Sequence, residues 1–291
     1  MAEAGPVADQ ESGADAGPVA VESGAPSEAA GPPQPGLGID FGGTGTKAAV
    51  IDLATGELLS RRYRLDTPQP SSPDAVAATI KKLAAKCHAD YPLPESLPVG
   101  LGLPGVIKSG VVMTAANIDK GWVGTSADDI VGDALGRRVW SINDADCAGM
   151  AEMSLGAGRG RMGTVLMLTV GTGIGSGLFV DGRLVPNTEF GHLEFHGKDA
   201  ELRVSGVARE RRGLRWKVWA AEFSEYLAQI ETLFWPDLLI LGGGVSKAHE
   251  RYDQWLKSRA PIVPAAHRNT SGIIGAALYA ADRAAGAPPV D

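Results

Sequence analysis

Apolar residues along the chain gather in short runs broken by glycine and threonine, and the spacing of those runs predicts most of the secondary structure. Leu37–Asp40 and Ala48–Ile51 read as paired strands joined across a Gly/Thr loop, with Glu57–Leu65 as a third strand of the same meander. Asp74–Cys87 sets Val76, Ile80, Leu83 and Ala84 on one helical face, with Pro73 near its first turn. Val99–Leu103 is a strand that ends in Pro104-Gly105. VWSIND, Val139–Asp144, is an apolar strand that stops abruptly at Asn143-Asp144, and the ADCAGMAEMSLG that follows has helical spacing. Thr164–Val170 and Gly177–Val180 flank a second glycine loop and lead to the turn Asp181-Gly182. Glu222–Phe234 is amphipathic, and Asp237–Leu241 is a short buried strand. Gly242-Gly243-Gly244 then opens onto Val245–Leu256, and Gly272–Ala285 closes the chain as a helix.

The pattern repeats. LTVGTGIGSGLFVDG laid over GIDFGGTGTKAAVID gives strand, Gly/Thr loop, strand and turn twice, for which a duplicated lobe is the simplest explanation. Strands alternating with helices indicate an α/β protein, and two matched hairpins indicate two lobes with a cleft between them. The expected division is a disordered tail over 1–36, a small N-terminal α/β lobe over 37–143 completed by the helix 272–285, and a larger C-terminal lobe over 144–271.

Charge sharpens the first of these boundaries. Residues 1–35 carry six acids and no Lys or Arg, which leaves 28 acids against 27 bases in the remainder of a 291-residue chain of net charge -7. The leading segment is Ala, Gly, Pro, Ser and Glu without an aromatic residue, too poor in apolar surface to offset the entropy of ordering it. It lacks the basic start and apolar stretch of a secretory signal, and no later run approaches the roughly 20 apolar residues that cross a bilayer. A soluble, cytoplasmic protein with no membrane partner is expected. Cys87 and Cys147 are the only cysteines, too few for a disulfide framework or a cysteine-rich zinc site, and read as buried small hydrophobes. His192 and His196 have the i, i+4 spacing of a helical metal pair, but Gly191 and Gly197 argue against a helix there.

The chemistry lies in the loops. Backbone N–H groups of successive Gly and Thr can converge on an anion because no side chain intervenes, and two such loops facing each other would cradle a chain of phosphates. Neither loop has Walker A spacing, and no G-x-G-x-x-G opens a helix after the first strand. Phosphoryl transfer then needs a metal-holding acid and a base. Asp40, at the lip of the first loop, could orient Mg²⁺ through water, or be a turn former at a strand end. Asp144 is placed to accept a proton from a substrate hydroxyl, or simply caps the helix after it.

GIDFGGTGTK, GLGLPG, ANIDKGW, INDADCAGMAE, LTVGTGIGSG, TEFGHLE and LILGGGVS, in this order, resemble the ROK family of sugar kinases in the actin-like ATPase superfamily, whose fold is ribonuclease H-like. The resemblance covers residues 37–285, and TPQPSSPDAV, GAGRGRMGTV, VPNTEFGHLE, LFWPDLLILGGGVSK and APIVPA are similar to the family's actinobacterial polyphosphate-using glucokinases. It implies phosphorylation of glucose at its 6-hydroxyl, with polyphosphate or ATP as donor, Mg²⁺ as cofactor and a homodimer as the assembly. Asp144 would be the general base. Asn117, Asn143, Glu189 and His192 would hold the sugar, with Glu194 a weaker inference for a sugar-contacting acid that other members place later. Asp40, Gly42, Gly43, Thr44 and Lys47 match the first phosphate motif and Gly171, Thr172 and Gly173 the second, with Gly242, Gly243, Gly244 and Lys247 on the donor side.

Two departures from the family follow. Many members bind zinc through a cysteine cluster after the Gly-His pair, but Glu194–Val204 has no cysteine, so no structural zinc is expected. Ala248 stands where related polyphosphate enzymes tend to carry a second lysine, so the resemblance implies the donor less firmly than the sugar. Arg203, Arg209, Arg211, Arg212, Arg215 and Lys217, opposed by Glu210, form a basic group suited to a polyanion or to a solvated face, and Arg159 and Arg161 form a smaller one. Nucleic acid is not expected as a partner. Trp216 and Trp219 fall among Leu214 and Val218 like core positions rather than a stacking platform, and the segment 1–36 cannot supply a helix-turn-helix. A catalytically silent sugar sensor is disfavoured by Asp144 and two intact loops.

Overall fold

The computed structural model describes residues 32–288, so most of the tail expected over 1–36 lies outside the described residues. Pro35 and Gly36 already belong to the first strand. The first half of the chain gives β1 (Pro35–Phe41), β2 (Gly45–Asp52), β3 (Tyr63–Asp66), α1 (Pro73–Asp90), β4 (Val99–Leu103) and the small hairpin β5 (Ile107–Lys108) with β6 (Val111–Val112). It continues with α2 (Ala127–Leu135), β7 (Trp140–Asn143) and α3 (Asp144–Leu155). The second half gives β8 (Thr164–Val170), β9 (Ile174–Val180), β10 (Arg183–Val185) and the hairpin β11 (Glu194–Phe195) with β12 (Lys198–Asp199). After these come α4 (Glu201–Val204), α5 (Gly206–Arg211), α6 (Trp216–Phe234), β13 (Leu238–Gly242), β14 (Ile262–Pro264) and α7 (Ser271–Ala284).

The repeated sequence pattern becomes a repeated topology. One sheet has the order β3-β2-β1-β4-β7 and the other β10-β9-β8-β13-β14. In each, an antiparallel three-strand meander is continued by two parallel strands. The register β1–β2 sets Asp40 opposite Lys47 and Phe41 opposite Thr46, which fixes the first glycine loop at the end of the hairpin. Leu37, Ile39, Val76, Ile80, Leu83 and Trp122 fill the core of the first lobe. Leu166, Leu168, Trp219, Phe223, Tyr226 and Tyr252 fill that of the second.

Helices α3 and α7 lie between the sheets. Helix α7 packs on β1 and β4 and against α3, and α3 reaches β8 and β9 of the second sheet. Their backbones approach so closely that a Cβ at Gly275 would stand 1.7 Å from the carbonyl oxygen of Cys147, so only glycine fits there. This contact fixes the start of α3, where Asp144 stands, against the helix that covers β1.

Several expected elements differ. The third strand is only Tyr63–Asp66, since Ser60 accepts from Val50 N–H at 2.9 Å and donates to Arg61 O at 3.0 Å, bending the chain after a single bridge at Leu58. Helix α6 begins at Trp216 rather than Glu222, so Trp216 and Trp219 are helical; Trp219 is buried and Trp216 stacks on Tyr252. Val245–Leu256, for which the sequence pattern specifies no element, forms short 3₁₀ turns, with Ala248 out of helical geometry. Helix α2 is additional, entered through Ser126, whose hydroxyl accepts from Asp129 N–H, and closed by Gly136 in the left-handed region. Cys87 and Cys147 are buried and unpaired by any disulfide. Among the described residues no helix is long and apolar enough to cross a membrane.

Candidate active site

The strand β7 runs directly into α3, and the junction decides the role open to each residue. Asn143 is the N-cap: its Oδ1 accepts from Ala145 N–H at 2.8 Å and Asp146 N–H at 3.1 Å, and its Nδ2 donates to Gly105 O at 3.0 Å. Capping is therefore done by Asn143, and the Asp144 carboxylate lines the cavity between the lobes. Burial, then the negative charge of Asp40 and further that of Glu189, pushes the Asp144 carboxyl up to about 7. A carboxyl that titrates near neutrality is suited to taking a proton and giving it up.

The cavity has a volume of about 510 Å³ and brings together the two glycine loops and the residues expected to meet the sugar. Gly42, Gly43 and Thr44 line it from the first hairpin and Gly171, Thr172 and Gly173 from the second; Gly243 joins from the third glycine segment. The first loop is held from behind: Gly42 N–H donates to Gly45 O at 3.1 Å, Thr67 Oγ1 to Gly42 O at 2.6 Å, and Gln69 Nε2 to Gly43 O at 3.1 Å. In the second, Gly171 N–H donates to Gly173 O at 2.9 Å. Held loops with side-chain-free backbone are the preorganised donors that phosphates need. Asp40 and Lys47 stand behind the loop, ion-paired at 2.7 Å, and do not line the cavity.

The side of the cavity where sugar contacts are expected is built by the turn after β10. Glu189 and His192 line the cavity with Asn117 and Asn143. A Cβ at Gly191 would stand 2.2 Å from Ile174 O, so glycine lets this turn lie against the second loop. The hydrogen bond from His192 Nδ1 to Asp199 Oδ2, 2.8 Å, raises the His192 pKa, while burial raises that of Glu189. His196 pairs with Glu225 instead, at 3.1 Å, so the two histidines have separate partners.

Glu194 does not join them. It is exposed at the start of the β11–β12 hairpin and takes no part in the cavity lining, because that hairpin turns the chain outward before returning it. The carboxylate that lines the cavity beside Asp144 and Glu189 is Glu201, in the first turn of α4, whose Oε2 accepts from Ile174 N–H at 3.2 Å. An acid at the start of a short helical run was the available signal for it. Thr114, Ser176 and Thr188 also line the cavity without having been singled out by the sequence. Gly242, Gly244 and Lys247 remain outside the lining, with Lys247 exposed.

Among the described residues no group of three or more His, Cys, Asp and Glu could hold a metal ion. A Mg²⁺ carried mainly by water and donor phosphates needs only one or two carboxylates from the protein. Asp40 is the carboxylate behind the first glycine loop, and its Oδ2 is engaged by Lys47.

The ROK family model matches residues 36–204, more than half of the chain. The chain belongs to the ROK family. It has the two-lobed actin-like ATPase fold of the ROK sugar kinases. The polyphosphate glucokinase of Mycobacterium tuberculosis is 47% identical over 84% of this chain and 90% of its own length. The crystal structure of an inorganic polyphosphate/ATP-glucomannokinase from Arthrobacter sp. strain KM superposes with a TM-score of 0.82 at 49% identity, covering 86% of this chain and 99% of that one. A ROK glucokinase of Streptomyces griseus, solved with glucose and AMPPNP, gives a TM-score of 0.73 at 25% identity over 85% of this chain and 99% of its own.

Proposed function

We propose that the protein transfers the terminal phosphoryl group of inorganic polyphosphate to the 6-hydroxyl of glucose. The observation that carries this reading is the Asp144 carboxyl, pushed up to about 7 in the cavity that both glycine loops line. Glucose lies against Asn117, Asn143, Glu189, His192 and Glu201, with its 6-hydroxyl at Asp144. The Asp144 carboxylate takes the hydroxyl proton as the sugar oxygen bonds to the terminal phosphorus. The bridging P–O bond breaks, and its electrons leave with the shortened chain. N–H groups of Gly43, Thr44, Thr172 and Gly173 hold the phosphate oxygens as charge shifts toward the leaving group, while those of Gly42 and Gly171 close their own loops. Mg²⁺ held near Asp40 would offset the phosphate charge when bound. The similarity to the mycobacterial glucokinase and the Arthrobacter enzyme supports this choice of sugar and donor.

The basic group divides by what its members already touch. Arg212 forms a bidentate pair with Glu222 at 2.6 and 2.8 Å, and Arg211 donates to Leu202 O at 2.8 Å. Arg209 is stacked on the Trp216 ring at 3.9 Å. Arg215 and Lys217 are exposed at the start of α6 and are the members we assign to the extended donor. With polyphosphate, the donor KM is expected to rise steeply with salt, and the Arg215→Ala, Lys217→Ala double variant to lower the log–log slope by about one to two. The slope with ATP is expected to stay unchanged by the same variant. Glucose 6-phosphate formation with polyphosphate and ATP at matched phosphate concentration checks the donor. Turnover with ATP alone would favour the second reading, a strictly ATP-dependent glucokinase on the same residues, for which the Streptomyces complex with glucose and AMPPNP gives the precedent.

A further inference from the structure

The segment that carries Glu189 reaches the cavity through a residue unusual in both backbone and side chain. Asn187 has a φ of 59°, a left-handed conformation that asparagine tolerates better than most residues. From there its side chain crosses to the first lobe. Oδ1 accepts from Ile107 N–H at 2.8 Å and Nδ2 donates to Ile107 O at 2.8 Å, satisfying both backbone groups of one residue of β5. Its own N–H donates to Asp146 Oδ2 at 2.9 Å, and Asp146 is wholly buried on α3, two residues after Asp144.

Both ends of this connection lead to the cavity. Thr188 and Glu189 follow Asn187 and line it from the second lobe, while Pro104 and Gly105, just before Ile107, line it from the first. Gly105 O is in turn held by Asn143. No strand pairing joins the two segments among the described residues, so the side chain of Asn187 does what a ladder would do elsewhere.

We propose that Asn187 is a latch between the lobes, a positioning residue that sets Thr188 and Glu189 opposite Gly105 and encloses the sugar before transfer. The proposal rests on the sugar-kinase reading. Two neutral hydrogen bonds are weak enough to open for sugar entry and directional enough to fix one closed register. Enclosure matters because water competes with the sugar hydroxyl for the donor phosphorus.

Asn187→Gly keeps the left-handed backbone and the N–H to Asp146 while deleting both bonds to Ile107. The glucose KM is expected to rise about tenfold, with kcat reduced less than about threefold and donor KM within about twofold. Phosphate released to water, relative to phosphate transferred, is expected to rise. A glucose KM within about twofold of wild type overturns the proposal, and so does an equal rise in glucose and donor KM, which marks general damage to the fold. Should the variant not fold, amide exchange in the wild-type protein decides: saturating glucose is expected to slow exchange at Ile107 and Asn187 by at least about tenfold, and an unchanged rate at both sinks the latch. Failure of the kinase reading looks different, since wild type then makes no sugar phosphate.

Discussion

Asp144→Asn is expected to lower kcat by about 10²–10⁴ while glucose affinity, measured by calorimetry, stays within about tenfold. The amide preserves shape and sugar contacts but cannot take the proton of the 6-hydroxyl. The wild-type pH profile follows from the same group. Burial and the Asp40 charge hold the carboxyl at about 7, so kcat/KM is expected to climb with pH below that value and level off above it. A variant that keeps most of its turnover would remove Asp144 as the base.

Stability supplies an independent reading of the same carboxyl. A raised folded pKa means that the protonated form stabilises the fold at low pH, and this stability is lost as pH rises from the ordinary carboxylate range to about 7. Asparagine has no charge to desolvate. The ligand-free variant is therefore expected to be more stable than wild type at pH 8 by a few kcal/mol, because each pH unit between the unfolded and folded pKa contributes ~1.4 kcal/mol. The difference is expected to close toward pH 4. Scanning calorimetry at the two pH values checks this.

Glu152→Ala is expected to cost about 3–5 kcal/mol of folding stability, the largest loss among the substitutions considered. Glu152 is completely buried near the end of α3, and among the described residues no cation is ion-paired with it. Its carboxylate is satisfied by backbone: Oε2 accepts from Ala157 N–H at 3.0 Å and Ala266 N–H at 2.9 Å, and Oε1 from His267 N–H at 2.9 Å. These bonds tie the end of α3 to the chain that enters α7, whose contact at Gly275 fixes the start of α3. Alanine strands those donors and leaves a void. Thermal unfolding should show a fall on the order of ten degrees, at ~2–4 °C per kcal/mol for a protein of this size. Glu152→Gln, which retains one acceptor, should lose less. A melting temperature for the alanine variant within about two degrees of wild type would contradict this role.

The parts of the fold legible in the sequence were those encoded locally. Two Gly/Thr loops between apolar runs became two hairpins at matching places in two sheets, because strand alternation and turn chemistry reside in adjacent residues. The junction at Asn143-Asp144 was legible for the same reason, at an abrupt change from strand to helix. Glu57–Leu65 was not, since the bend at Ser60 depends on a hydrogen bond to Val50 across the sheet. The early start of α6 was hidden because Trp216 and Trp219 have modest helix propensity and gain their place against Tyr252, Trp216 stacked on its ring and Trp219 edge-on to it. The exchange of Glu194 for Glu201 has a similar cause. Which acid lines the cavity is set by a hairpin that turns the chain out and back, over a span in which the sequence offers several carboxylates. Charge alone likewise could not show that Arg211 and Arg212 are engaged within the protein while Arg215 and Lys217 are exposed.

The most direct test is to identify the product of the wild-type protein with glucose, polyphosphate and Mg²⁺ by phosphorus NMR. A new phosphate ester coupled to the two C6 protons of glucose, growing as polyphosphate shortens, is the expected result. Inorganic phosphate without a sugar ester, or an ester on another hydroxyl, would contradict transfer to the 6-hydroxyl at Asp144.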